Sequence, residues 1–172
     1  MNGQLRTGLI ISGVVVVLVA IAAWHNGRTG SVGGGVRLTD DLAEAWVAST
    51  EAEDVGDALN KASADGSSVN VADPEAVRAA GKNRRLAKAV KAHGFSSGDQ
   101  WAEVTIKMMA VQLGDMLPAM EAKSETAAAG DAQLQAAMGL AYAETHGWID
   151  AVLANMTKDE VSAAREAGPS GG

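Results

Sequence analysis

Apolar positions along this chain follow three patterns, and each predicts a different environment. The first is continuous: Gly8–Trp24, GLIISGVVVVLVAIAAW, holds no charged residue. At helical rise such a run reaches ~25 Å, close to the lower limit for a bilayer core. In lipid every backbone N–H and C=O must bond within its own segment, so a helix is expected despite the β-branched block Val14–Val17. Trp24 closes the run where an interfacial aromatic belongs. Residues 8–24 therefore read as a transmembrane helix behind a short N-terminal tail, residues 1–7. The alternative is a signal peptide, because Met1–Arg6 is a positively charged start and Ala20-Ile21-Ala22 is an A-x-A cleavage site. Both readings bring the chain to a membrane. The expected product is a single-pass protein with its C-terminal domain outside the cytoplasm (periplasmic), or one secreted after cleavage near Ala22.

The second pattern is the absence of any period. Residues 25–37 are rich in Gly and Ser, the composition of a flexible linker. The GSVGGG stretch inside it lacks the G-K-[ST] ending that a phosphate-cradling loop requires.

The third pattern, over residues 38–167, has the three-and-four spacing of amphipathic helices. Thr39 caps a first helix whose stripe runs through Leu42, Trp46, Ala52, Val55, Leu59 and Ala62, ending at Gly66-Ser67-Ser68. Asp73-Pro74-Glu75 opens a second, which stops at His93-Gly94 and has Gly81 as a point of bending or splitting. Ser96 or Ser97 caps a third, with Ser97 and Gln100 in capping-box spacing. Two apolar rows make this third helix the most buried, and Pro118 should kink or end it. Glu121–Gly130 reads as a polar connection. A heptad-like stripe from Leu134 to Val152 marks a helix over about Asp131–Asn155, with Gly147 a weak point. Thr157 and Glu160 open a short last helix, and residues 168–172 form a tail. No strand-like alternation occurs. The predicted fold is all-α: one N-terminal transmembrane or signal helix, a Gly-rich linker, then a compact bundle of about four to five helices.

Composition narrows the function classes. A net charge of −7, from 21 acidic and 14 basic residues, argues against nucleic-acid binding. The absence of Cys removes disulfides, thiolate metal sites and thiol nucleophiles. Charge is unevenly placed. The first helix carries Glu51, Glu53, Asp54 and Asp57, whereas the second carries Arg78, Lys82, Arg84, Arg85, Lys88 and Lys91. That basic face is the candidate docking surface, for anionic lipid or an acidic protein partner. Trp46, Trp101 and Trp148 lie on the stripes of three helices and are expected to share a core, or to line a pocket for an apolar ligand.

Catalytic signals are missing. Neither His93 nor His146 stands in a Ser-His-Asp order, and Glu144 and His146 are too close in sequence to share a helix face. No catalytic residue, metal ligand or cofactor is assigned. The reading is a membrane-tethered interaction or assembly domain that binds a protein partner or itself. The alternative is an exported binding protein for a small apolar ligand or haem, the latter held by His146 with Met108 or Met109.

Overall fold

The structure, a computed structural model, describes residues 35–62 and 69–168. The expected tail 1–7, the apolar helix 8–24, the linker before Gly35, the Gly66-Ser67-Ser68 stop and residues 169–172 lie outside them. The described residues form seven α-helices and no strand, a helical bundle: α1 (Asp40–Glu51), α2 (Glu53–Asn60), α3 (Pro74–Gly81), α4 (Arg84–Ala92), α5 (Gly98–Ala127), α6 (Ala132–Leu153) and α7 (Lys158–Ala167). No described helix is long and apolar enough to cross a membrane.

Several boundaries follow directly from local chemistry. The Asp73 carboxylate accepts from the Glu75 and Ala76 N–H groups, with Pro74 at the first helical position of α3. Gly94, at φ 95°, takes the left-handed turn after α4, while the Phe95 N–H bonds back to the Val90 carbonyl. The Ser97 hydroxyl accepts from the Gln100 N–H at the start of α5. Thr157 and Glu160 form a complete capping box on α7.

Other boundaries differ from the expected ones. The first predicted helix is two, broken at Ala52, whose ψ of 126° is extended. Just before the break the Ser49 and Thr50 hydroxyls bond the Trp46 and Val47 carbonyls, local bonds that compete with the helical ladder. The second predicted helix is also two. Its break lies at Asn83, whose side chain accepts from the Arg85 and Leu86 N–H groups and so starts α4 afresh. Gly81, the expected splitting point, is the last residue of α3, just before the break, and it also packs closely: a Cβ there would lie 2.6 Å from the Gly98 carbonyl oxygen. Pro118 does not end α5, which continues to Ala127, so most of the expected connection Glu121–Gly130 is helical. The reversal is confined to residues 128–131, where Gly130 has φ 99° and Asp131 caps α6 by accepting from the Gln133 and Leu134 N–H groups.

The chain divides into two compact units. Among described residues one comprises Met116–Trp148, and the other Gly35–Asp115 with Ile149–Gly168. The division cuts α5 between Asp115 and Met116, just after Gly114, whose carbonyl Pro118 cannot serve as a donor, and cuts α6 beside Gly147.

In the larger unit the segment Trp101–Val111 of α5 is buried almost all round, as a central helix must be. Val55, Val77, Leu86, Val90, Ile149, Val152 and Ala164 are buried in the same unit. The Trp46 indole N–H donates to the Thr105 hydroxyl at 3.0 Å, and that hydroxyl donates to the Trp101 carbonyl at 2.8 Å. One threonine thus links α1 to α5 and leaves the buried indole satisfied.

A buried ion pair fixes the point where the domain begins. Lys107 Nζ lies 2.7 Å from Glu160 Oε1 and 2.7 Å from the Val36 carbonyl, and the Leu38 N–H donates to the same Oε1 at 2.8 Å. Thr157 donates its N–H and its hydroxyl to the other carboxylate oxygen. Burial alone would raise the Glu160 pKa. The Lys107 hydrogen bond, the Thr157 and Leu38 N–H groups and the Lys107 charge outweigh it, taking the value from 4.5 to about 2. The smaller unit is a hairpin of the end of α5 and the start of α6, with Leu117, Ala128, Met138, Ala141 and Tyr142 buried and Met116, Leu134 and Leu140 exposed.

Candidate functional site

The predicted basic face is reorganised by the break at Asn83. Arg78, on α3, is withdrawn from it: its Nε donates to Glu103 Oε1 at 2.8 Å, with both side chains largely covered. Lys82 is exposed at the end of α3. The remaining four, Arg84, Arg85, Lys88 and Lys91, are exposed on α4. At helical spacing they occupy an arc of ~120°, opposite the buried Leu86 and Val90. No carboxylate among the described residues lies within 4.0 Å of any of these four cations.

Two features of this stripe work against the helix that carries it. Arg84 and Arg85 occupy the first turn of α4, which holds no acidic residue, so they face the positive end of the macrodipole. Arg84 and Lys88, and Lys88 and Lys91, are like-charged neighbours at one helical turn. Such local disagreements concentrate where a surface serves a partner.

The acidic residues lie on the adjacent element. α2 packs directly against α4. Glu53, Asp54 and Asp57 of α2, and Glu51 at the end of α1, are exposed. His93, at the C-cap of α4, meets Asp54 Oδ1 through Nε2 at 3.0 Å, and Asp57 lies 3.7 Å from Lys61 in its own helix. Stripes of opposite sign thus stand on neighbouring helices with one direct contact between them.

A second candidate is a cleft of about 610 Å³ in the hairpin unit, lined by Glu121, Ser124, Ala128, Gln135, Met138, Gly139, Tyr142, Ala143 and His146. His146 Nε2 and Glu121 Oε1 are 2.8 Å apart across the hairpin. Sequence spacing paired His146 with nothing. Glu121 stands 25 residues away in a stretch whose sequence reads as a connection, so its helical register is not visible there. None of the three tryptophans lines this cleft, so a pocket walled by indoles is not what the hairpin offers. Trp46 and Trp101 are buried core side chains of the larger unit. Met108 is fully buried and Met109 half-buried in the larger unit, while His146 Nε2 meets Glu121 in the hairpin unit. Among the described residues no three His, Asp or Glu side chains converge as a metal site.

The fold and its candidate surfaces define a helical-bundle protein, and similarity takes the matter no further. No protein-family model, no curated protein and no solved structure matches the chain.

Proposed function

We propose that this chain is a membrane-tethered, exported interaction domain that works by docking rather than catalysis. Gly8–Trp24 is the anchor, the Gly-rich residues before Val36 are the spacer, and the helical domain presents α4 to a protein partner's carboxylates. The observation that carries this reading is the four-cation stripe Arg84, Arg85, Lys88 and Lys91. It is exposed and without an ion-pair partner among the described residues, on a helix whose terminus and spacing those charges oppose. A partner carboxylate beside them relieves both penalties.

The test places a photo-crosslinking residue at exposed Ala92 of the full-length chain, in membranes of its host. The expected result is a membrane-fraction protein forming adducts that disappear when the four cations are replaced by Gln. A soluble chain beginning at Ala23, or a membrane chain recovered only as monomer, would refute it.

The cleft supports one other reading, an exported binding protein for a small ligand. Its volume falls in the ~300–1,000 Å³ range of ligand sites, and Glu121, Tyr142 and His146 give it polar groups among apolar walls. A thermal-shift screen of hydrophobic and amphipathic small molecules tests it. A melting temperature unmoved by every compound and by haem would remove it.

A further inference from the structure

We infer that the partner of the α4 cations is a second copy of this chain, which docks its own α1–α2 carboxylates on them in a two-fold dimer. This rests on the interaction-domain reading above and names its partner. The charge arrangement is self-complementary. On one copy, Arg84, Arg85, Lys88 and Lys91 stand on α4, while Glu53, Asp54 and Asp57 stand on α2 packed beside it, with Glu51 at the end of α1 just before α2. At helical spacing the three α2 acids span ~100° of its surface, turned away from the buried Val55 and Ala58. Their charges are only lightly engaged within the copy. Asp54 meets His93 and Asp57 meets Lys61, and both carboxylates remain exposed with further oxygen lone pairs to offer.

In an isologous dimer each surface patch meets the same patch turned by a half-rotation. A cationic stripe beside an anionic stripe then meets its opposite twice. A flat anionic membrane does not fit as well, because whatever attracts α4 repels the four adjacent carboxylates. The same argument disfavours a uniformly acidic protein surface. Exposed pairs of this kind are weak singly and screened by salt, so the dimer is electrostatic and modest in affinity. Confinement of two copies to one membrane by Gly8–Trp24 raises their effective concentration, which is where a weak contact becomes occupied.

Sedimentation velocity of the full-length chain in mild detergent, at about 50 mM and about 500 mM salt, tests this. The expected result is a dimer that weakens about tenfold or more at the higher salt. Two reversal variants follow, Arg84→Glu/Arg85→Glu/Lys88→Glu and Glu51→Lys/Glu53→Lys/Asp57→Lys. Each alone should be monomeric, and an equimolar mixture should recover a salt-sensitive heterodimer. Circular dichroism reports whether each variant is folded. Should a reversal unfold the chain, the milder Arg84→Gln/Lys88→Gln must still weaken the dimer. A wild type that stays monomeric at low salt overturns the inference, as does a mixture of folded variants that fails to associate. A monomer that still crosslinks to a different protein from Ala92 overturns the self-docking alone and leaves the interaction domain standing. Salt-sensitive binding of the monomer to vesicles rich in phosphatidylglycerol would make the membrane the partner and also overturn it.

Discussion

Replacing Glu160 by Gln removes one charge and almost no volume, and the structure sets how much stability goes with it. The side chain is only 5% exposed and accepts from Lys107, from the Leu38 N–H and from two Thr157 donors. A carboxylate held at about 2 instead of 4.5 stabilises the native state by about 3 kcal/mol near neutral pH. Breaking a buried ion pair from one side costs ~3–5 kcal/mol by comparison with other proteins, so two routes agree on the scale. Gln also turns an amide NH₂ towards groups that are themselves donors, which leaves one of them unpaired. The sign of the pH dependence follows from the depressed pKa. The stabilisation is complete above the unfolded value near 4.5 and is lost as pH falls from there towards 2. Urea unfolding of full-length wild type and Glu160→Gln in mild detergent, followed by far-UV circular dichroism from pH 7 to pH 2.5, measures both effects. The variant should be less stable by about 3 kcal/mol or more at pH 7, with the gap narrowing below pH 4.5. A gap below about 0.5 kcal/mol at pH 7, or one independent of pH, would refute the buried-pair reasoning.

Further outcomes follow from the same contacts. Gly81→Ala should destabilise by about 1–3 kcal/mol, because its Cβ would meet the Gly98 carbonyl at 2.6 Å and the Ala102 Cβ at 3.0 Å. Gly56→Ala in α2 meets nothing within 4 Å and should instead stabilise by about 0.5–1 kcal/mol; thermal melts of the two variants check the contrast. Thr105→Val strands the buried Trp46 N–H and should cost about 1–3 kcal/mol in urea unfolding, with an altered indole fluorescence spectrum. Asp115→Asn breaks the exposed pair with Arg165, whose hydrogen bond holds the Asp115 pKa below its ordinary value. It should cost less than about 1 kcal/mol, since both side chains are about half exposed, and a double-mutant cycle with Arg165→Gln measures the coupling.

What could be read from the sequence alone was local. Asp73-Pro74, Ser97 with Gln100, Thr157 with Glu160, and the stop at His93-Gly94 each place their donors and acceptors within a few residues, so helix ends were legible without a fold. The burial of α5 was legible too, because two apolar rows leave a helix no solvent face except within a bundle. Tertiary structure decided what depends on distant partners. Lys107 sits between Ile106 and Met108 in that most buried helix, which was a signal in itself. Its partner Glu160 is 53 residues away and reads locally as a capping residue. Arg78 left the basic face for Glu103 on another helix, and Glu121 met His146 only because α5 passes through Pro118. The charge of each stripe was written in the sequence. That the acidic and basic stripes belong to adjacent helices came from packing, because Val55 and Ala58 of α2 and Leu86 and Val90 of α4 are apolar faces that must be buried. Helical periodicity requires such faces to be covered, but only the folded chain settles what covers them.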